Sequence, residues 1–107
     1  MSKNTIKIAN CSGFYGDRLS AAKEMVDGGP IDVLTGDYLA ELTMAILYGQ
    51  KIQRGEKAGY VGTFLKQLKQ IASSCSEKNI KVVSNAGGLN PKSMADEVKN
   101  ILDSEGL

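Results

Sequence analysis

Short β-branched segments alternate with longer amphipathic segments along this chain, and the alternation predicts an α/β protein. The strand candidates are rich in isoleucine, valine and threonine; they are Ile6–Asn10, Ile31–Thr35 and Ile80–Asn85. The helix candidates carry apolar residues at three- and four-residue spacing; they are Arg18–Asp27, Tyr38–Gln53, Thr63–Lys78 and a last helix that starts at Asn90-Pro91. The order β-α-β-α-α-β-α predicts a three-layer fold, with a parallel sheet of about three strands and right-handed crossover helices.

Polar residues and glycines predict where these elements begin and end. Asp17 is placed to cap the first helix, and Gly28-Gly29-Pro30 ends that helix. The polar, glycine-rich stretch Gln50–Gly62 is predicted to be a loop. In the third helix, the amphipathic pattern assigns Lys66 and Gln67 to the polar face.

The predicted helix Tyr38–Gln53 is apolar nearly all the way round, which is typical of a helix buried on more than one side. A sheet of three strands can cover only part of such a helix, so two interpretations stay open. In the first, the chain is the opening part of a larger α/β domain, or associates with itself or with a protein partner through this helix. In the second, residues 1–107 form one compact domain whose middle helix packs against both the sheet and the third helix.

The composition excludes several classes of protein. The 107 residues are 42% hydrophobic and 23% charged, as in an ordinary globular domain, and the net charge of +1 predicts neither a nucleic-acid nor a membrane partner. Without a long apolar run or a signal peptide, a cytoplasmic location is expected. The absence of histidine excludes serine–histidine and cysteine–histidine catalytic pairs. Cys11 and Cys75 form no disulfide framework and are expected to be buried thiols.

Three polar clusters follow the three predicted strands, at the edge where an α/β sheet binds its ligand. The candidate site residues are Asn10, Ser12, Gly13 and Asp17 after the first strand; Asp37, Tyr38 and Glu41 after the second; and Asn85, Gly87, Gly88 and Asn90 after the third. Because neighbouring parallel strands end at the same edge, we expect Asn10, Asp37 and Asn85 to lie together there.

Each candidate also has a structural explanation. Asp37 and Glu41, four residues apart, would share a helix face and could hold a divalent cation or provide a general acid; alternatively, Asp37 caps the helix and Glu41 stabilises its dipole. The Gly87-Gly88 amides could approach a phosphate, or the glycines could form a tight turn. The basic residues between Lys51 and Lys81 are expected to be scattered over a solvated surface.

Taken together, the motifs resemble the N-terminal domain of the acyclic terpene utilisation family. The resemblance rests on SGFYGD at residues 12–17, TGDYLAELTM at 35–44 and VVSNAGGLNP at 82–91, in that order and spacing, and it covers about Ile6 to Ile101. Cys11 stands where the family usually has a small residue, and Tyr15 where it often has tryptophan. Family members normally run several times longer, so the resemblance predicts a truncated piece or one half of a split protein.

The resemblance implies a role in the breakdown of acyclic terpenes such as citronellol and geraniol, whose intermediates are branched acids and their coenzyme A esters. The implied activity is binding or converting such an acyl-CoA or carboxylate. Asp37 or Glu41 would handle a proton or a metal ion, while Asn10, Asn85 and the glycine amides would orient oxygen atoms. The alternative is a non-catalytic module that docks on a partner completing the fold.

Overall fold

The fold is an open parallel sheet with four helices. The computed structural model describes residues 5–107, and its elements are β1 (Ile8–Asn10), α1 (Ala21–Asp27), β2 (Val33–Gly36), α2 (Glu41–Arg54), α3 (Gly62–Lys78), β3 (Lys81–Ser84) and α4 (Pro91–Ser104). The three strands pair in parallel in the order β1-β2-β3. The predicted α/β class, element order and parallel sheet are therefore confirmed.

One face of the sheet carries the hydrophobic core. Leu34 of the central strand is 1% exposed and lies between Ala9 of β1 and Val82 of β3. This row of side chains packs against α1 and α3, where Val26 and Ile71 belong to the same buried cluster. The burial of these apolar side chains between sheet and helices is the main force that stabilises the fold.

The other face of the sheet is open. Side chains alternate between the two faces of a strand, so Ile8 and Val83 point away from the core. Ile8 is 65% exposed and Val83 is 60% exposed. On the central strand, Val33 and Thr35 are partly buried and have a strand on each side. Within residues 5–107, the second helical layer of the three-layer arrangement is not seen on this face.

The one-sided cover follows from the strand order. Connections between parallel strands are right-handed in nearly all proteins, and a sheet that grows in one direction receives all such connections on the same face. The order β1-β2-β3 never reverses, and α1 and α3 accordingly pack against each other on the core side. A helix reaches the opposite face only where the strand order reverses.

Two helix starts differ from the sequence prediction. The first helix begins at Ala21, after Ser20, and Asp17 lies in the preceding loop. The second begins at Glu41, after an extended Ala40 that makes no side-chain cap, and it continues to Arg54, inside the stretch predicted as a loop. The predicted capping by Asp17 and Asp37 is therefore wrong, because both carboxylates have other hydrogen-bond partners.

The second helix is buried along one line only. Its buried side chains are Thr43 and Leu47, and Leu47 packs in the cluster that joins α3 and α4. Leu42 is 72% exposed, and Tyr48 and Ile52 are also well exposed. The expectation of burial on more than one side is not met within this structure. No helix among residues 5–107 has the combination of length and apolar character that crossing a membrane requires.

Candidate functional site

The loops after β2 and β3 are joined by a hydrogen bond at the carboxyl edge of the sheet. Asn85 Nδ2 donates to Asp37 Oδ1 at 2.8 Å, and the backbone N–H of Tyr38 donates to Asn85 Oδ1 at 3.0 Å. Both side chains belong to exposed residues. The strand register places Asn10 at the same edge, which confirms the prediction that Asn10, Asp37 and Asn85 lie together there.

Asn10 is held by its own strand neighbours. Its Nδ2 donates to the Ser12 carbonyl at 2.9 Å, and Thr35 Oγ1 donates to its Oδ1 at 3.1 Å. Thr35 is not among the site residues predicted from the sequence. Strand alternation puts Thr35 and Asn10 on the same face, but their contact depends on the register between β1 and β2, which the sequence pattern does not specify.

The loop after β1 is folded around Asp17. Its carboxylate accepts hydrogen bonds from the backbone N–H groups of Gly13 at 2.9 Å and Arg18 at 2.7 Å. These two bonds, the one from Gly13 above all, hold the pKa of Asp17 below its ordinary value. Ser12 is buried, and its hydroxyl donates to the Phe14 carbonyl. In this conformation, Ser12 and Asp17 shape the loop.

Tyr38 lies in the core, away from the exposed polar groups. It is 3% exposed, and its hydroxyl donates to Gln67 Oε1 and lies 3.9 Å from Cys11 Sγ. Burial raises the pKa of the Tyr38 hydroxyl and that of the Cys11 thiol. The ring packs on Gly36, where an added Cβ would come within 2.6 Å of it. The Tyr38 side chain therefore packs beneath the carboxyl edge of the sheet, against the last residue of β2.

Gln67, a neighbour of Tyr38, is the second residue near the candidate site that the sequence did not predict. Assigned to the polar face of α3, it is 3% exposed, and its Nε2 donates to the Leu19 carbonyl at 3.3 Å. A buried amide needs partners for both of its ends, and here they come from Tyr38 and the loop after β1. Amphipathic periodicity cannot reveal such a residue, because the pattern separates residues by polarity alone.

The glycine turn after β3 allows three segments to pack closely. Gly88 has φ +54°, and an added Cβ would lie 2.5 Å from Leu47 Cδ1. At Gly87 an added Cβ would lie 2.7 Å from Pro91. The Gly88 amide already donates to the Asn85 carbonyl. These contacts support the tight-turn explanation, and a phosphate contact by these amides stays a prediction.

Asn90 links α4 to the loop that precedes α3. Its Nδ2 donates to the carbonyls of Glu56 at 2.6 Å and Ala58 at 3.0 Å, while its Oδ1 caps α4 by accepting from the Ser93 N–H. The predicted N-cap is confirmed. With its oxygen and nitrogen both engaged, the Asn90 side chain holds these two segments together.

The two candidate carboxylates do not share a helix face. Asp37 precedes α2, whereas Glu41 is the first residue of the helix, where a negative charge stabilises the helix dipole. Among residues 5–107, no group of three or more histidine, cysteine, aspartate or glutamate side chains forms a metal-binding cluster. Asp37 and Asn85, rather than Asp37 and Glu41, are the pair that this structure brings into contact.

This edge can bind a molecule that offers both a hydrogen-bond donor and an acceptor. Within the described chain Asp37 Oδ2 has no hydrogen bond, so the exposed carboxylate can accept a proton or a hydroxyl hydrogen. Asn10 and Asn85 each use one amide hydrogen, and each has a second hydrogen to donate to a carbonyl or carboxylate oxygen.

Comparison with known proteins adds one finding. The family model described as "Acyclic terpene utilisation family protein AtuA" matches residues 6–107. No curated protein and no solved structure matches the chain at a significant level. The resemblance drawn from the sequence motifs is therefore confirmed.

Proposed function

The chain belongs to the acyclic terpene utilisation family AtuA, and from that premise we propose that it binds a branched acyclic carboxylic acid or its coenzyme A thioester. Family membership gives it a part in acyclic terpene utilisation. The proposed ligand is an acid or thioester of the kind formed when citronellol- or geraniol-type compounds are oxidised. The proposed binding place is the carboxyl edge of the sheet.

The hydrogen bond between Asn85 and Asp37 is the observation that carries this proposal. It fixes a carboxylate and an amide from two different loops in one arrangement, at the edge where α/β proteins bind ligands. Both residues lie in the motifs that identify the family, TGDYLAELTM and VVSNAGGLNP. Such an arrangement is pre-organised, so little ordering of these side chains is needed when a ligand arrives.

We assign complementary roles to the two kinds of side chain. The free hydrogens of Asn10 and Asn85 donate to the carbonyl or carboxylate oxygen of the ligand. Asp37 accepts a hydrogen from the ligand, as a binding partner for a hydroxyl group or as a general base for a proton next to the carbonyl. Glu41, at the start of α2, is the second candidate for proton or metal-ion chemistry.

A binding experiment on the full chain tests these roles. We expect citronellyl-CoA or citronellic acid to bind to the wild-type protein in calorimetric titrations, and Asp37→Asn and Asn85→Ala to weaken that binding. Glu77→Gln is the matched control, because Glu77 is an exposed carboxylate near the far end of α3. The loss of one charge-assisted hydrogen bond should raise Kd about tenfold.

Two outcomes would contradict the proposal. One is wild-type protein that binds neither the acid nor the thioester. The other is binding that Asp37→Asn and Asn85→Ala leave unchanged while both variants melt like the wild type. Coenzyme A without an acyl group is a necessary comparison, since binding of the nucleotide part alone does not involve the Asp37–Asn85 site.

The cysteines support a cytoplasmic setting for this function. Cys11 and Cys75 are both free and buried. Free thiols are typical of reducing compartments, whereas small secreted domains generally pair their cysteines. We therefore propose the cytoplasm as the place of action.

The open face of the sheet supports a second function, assembly with another copy of the same chain. Parallel sheets are normally covered on both faces, and here Ile8 and Val83 are exposed on one of them. Leu42 and Ile52 of α2 add further exposed apolar surface. With a net charge of only +1, two copies meet little electrostatic repulsion, which favours self-association.

Sedimentation of the purified chain tests this second function. We expect a concentration-dependent dimer, and Val83→Lys should shift the protein towards monomer because it places a charge on the open face. Ser73→Lys is the control, since Ser73 is an exposed residue of α3. A wild-type protein that stays monomeric throughout the micromolar range would exclude self-association as the way in which this face is covered.

A further inference from the structure

A cavity of about 540 Å³ lies between the end of α2, the loop to α3 and the start of α3. Three basic residues from these three segments line it: Arg54, Lys57 and Lys66. From the sequence, the charges of this region are expected to be scattered over a solvated surface. Arg54, Lys57 and Lys66 are indeed exposed, but the fold brings them to one concave site, which shares no lining residue with the Asp37–Asn85 pair.

None of these three cations forms an ion pair within residues 5–107. No acidic side chain lines the cavity. Other basic residues of the same chain do pair with carboxylates, namely Arg18, Lys23, Lys92 and Lys99. Lys57 also borders a neighbouring depression that holds Asp96 and Glu97, without a contact within 4 Å. Three uncompensated like charges repel one another, and a bound anion would remove that repulsion.

Neutral groups in the same cavity can also donate hydrogen bonds. The Tyr15 hydroxyl accepts from Gln50 Nε2 at 3.4 Å, so its own hydrogen is free to point to a ligand. Thr63 adds a second hydroxyl from the first turn of α3. That turn contains no acidic residue, and Val61 before it supplies no side-chain cap, so the positive end of the helix adds to the field of the three cations.

We propose that this cavity binds the phosphate ester or diphosphate group of a small molecule. A phosphate group carries more than one negative charge and several acceptor oxygens, which matches three cations and two hydroxyl donors better than a single carboxylate does. Arginine pairs with phosphate through two parallel hydrogen bonds, and lysine adds a point charge. The cavity lies at the N-terminal end of α3, on the side of the sheet where the strands end, as phosphate sites of α/β proteins do.

The phosphate could belong to a nucleotide, such as the adenosine bisphosphate part of coenzyme A, or to a free diphosphate. Neither source needs the Asp37–Asn85 site, so this inference stands apart from the proposed function. Calorimetric titration of the full chain with adenosine 3′,5′-bisphosphate and, separately, with inorganic pyrophosphate tests it. Neither probe contains an acyl group or a carboxylate.

We expect both probes to bind, and Arg54→Gln and Lys66→Gln each to raise Kd about tenfold. Lys69→Gln is the matched control, because Lys69 is an exposed lysine of the same helix that does not line the cavity. The control should leave Kd unchanged. Tighter binding of the adenosine compound would identify a nucleotide as the source of the phosphate, tighter binding of pyrophosphate would identify a diphosphate, and equal binding would show that the phosphate group alone is recognised.

Two results would overturn the inference. The first is the absence of binding by either probe at about 10 mM, which would saturate even a millimolar site. The second is an equal loss of affinity in Lys69→Gln and the two cavity variants, which would mean attraction to positive charge in general. All three substitutions change exposed side chains, and equal melting temperatures of the variants would show that the fold is intact.

Discussion

The two faces of the sheet differ in how the same strands are used. On the covered face, Leu34 is almost completely buried against α1 and α3. On the open face, Val83 of the neighbouring strand is mostly exposed, although it too is apolar. The two faces of the same sheet are therefore expected to contribute very differently to the stability of this chain.

The composition of a strand therefore does not reveal which face of the sheet is covered. A strand buried on both faces and a strand buried on one face can both read as runs of valine and isoleucine. The topology decides: β1-β2-β3 runs in one direction, so the helices that connect the strands all lie on the Leu34 side. The apolar residues of the opposite face are then available for contacts outside residues 5–107.

Substituting one side chain on each face measures directly how much each face contributes to stability. Leu34→Ala should lower the free energy of unfolding by about 3 kcal/mol, because it leaves a cavity in the core. Val83→Thr should change it by no more than about 0.5 kcal/mol, because the residue is exposed and threonine suits a strand. Urea unfolding at a protein concentration too low for the proposed dimer to form measures both. A loss for Val83→Thr as large as that for Leu34→Ala would show that the open face is covered in solution.

A smaller effect is expected from the buried polar contact beneath the edge. Tyr38→Phe keeps the ring but removes the hydroxyl that donates to Gln67, so a buried amide oxygen loses its partner. The expected loss of stability is about 1–2 kcal/mol by thermal or urea unfolding. Tyr48→Phe is the control, because the Tyr48 ring is exposed on α2. Equal stability of the two variants would mean that the Tyr38–Gln67 contact contributes little.

The exposed hydrogen bond between Asn85 and Asp37 should contribute less to stability than the buried contact between Tyr38 and Gln67. Asn85→Ala removes the donor to Asp37 and the acceptor of the Tyr38 N–H, but water can replace both. We expect a loss of about 1 kcal/mol or less in the free energy of unfolding. Asn100→Ala, at an exposed position of α4, is the control and should be neutral or slightly stabilising. A loss near that of Leu34→Ala would contradict the interpretation of this link as a surface contact.

Much of the fold could be predicted from the sequence because it depends on local patterns. Alternation and three-to-four spacing predicted the seven elements in the right order, and parallel strands required Asn10, Asp37 and Asn85 to meet at one edge. The first residues of α1 and α2 were harder to predict. Aspartate before a helix is typical of a cap, yet Asp37 pairs with Asn85, a residue 48 positions away that local pattern cannot connect to it.

The rest depends on three-dimensional contacts that polarity patterns do not encode. Gln67 follows the polar rhythm of α3 but is buried, because the loop after β1 supplies its second hydrogen-bond partner. Arg54, Lys57 and Lys66 belong to three different segments of the chain, and the turn between α2 and α3 brings them into one cavity. The basic residues can be identified in the sequence, but their position around one cavity follows only from the fold.

The smallest expected effect is a pH dependence of the stability that Asp17 contributes. Apolar side chains do not titrate, so the stability that an apolar face contributes should not depend on pH. The hydrogen bonds from Gly13 and Arg18 lower the pKa of Asp17 in the folded protein. An aspartate of the unfolded chain has a pKa of about 3.9. A lowered pKa in the folded state gives stability that is present above the unfolded value and is lost as the pH falls through the folded value.

Urea unfolding should therefore show wild-type protein more stable than Asp17→Asn at pH 7 and the two converging in strong acid. Comparing variant with wild type at each pH cancels the similar contribution of Asp27, whose pKa the hydrogen bond from Lys23 lowers. Leu34→Ala is the reference, since its loss of stability should be the same at both pH values; a constant difference between wild type and Asp17→Asn would show instead that the loop bonds do not depend on the charge.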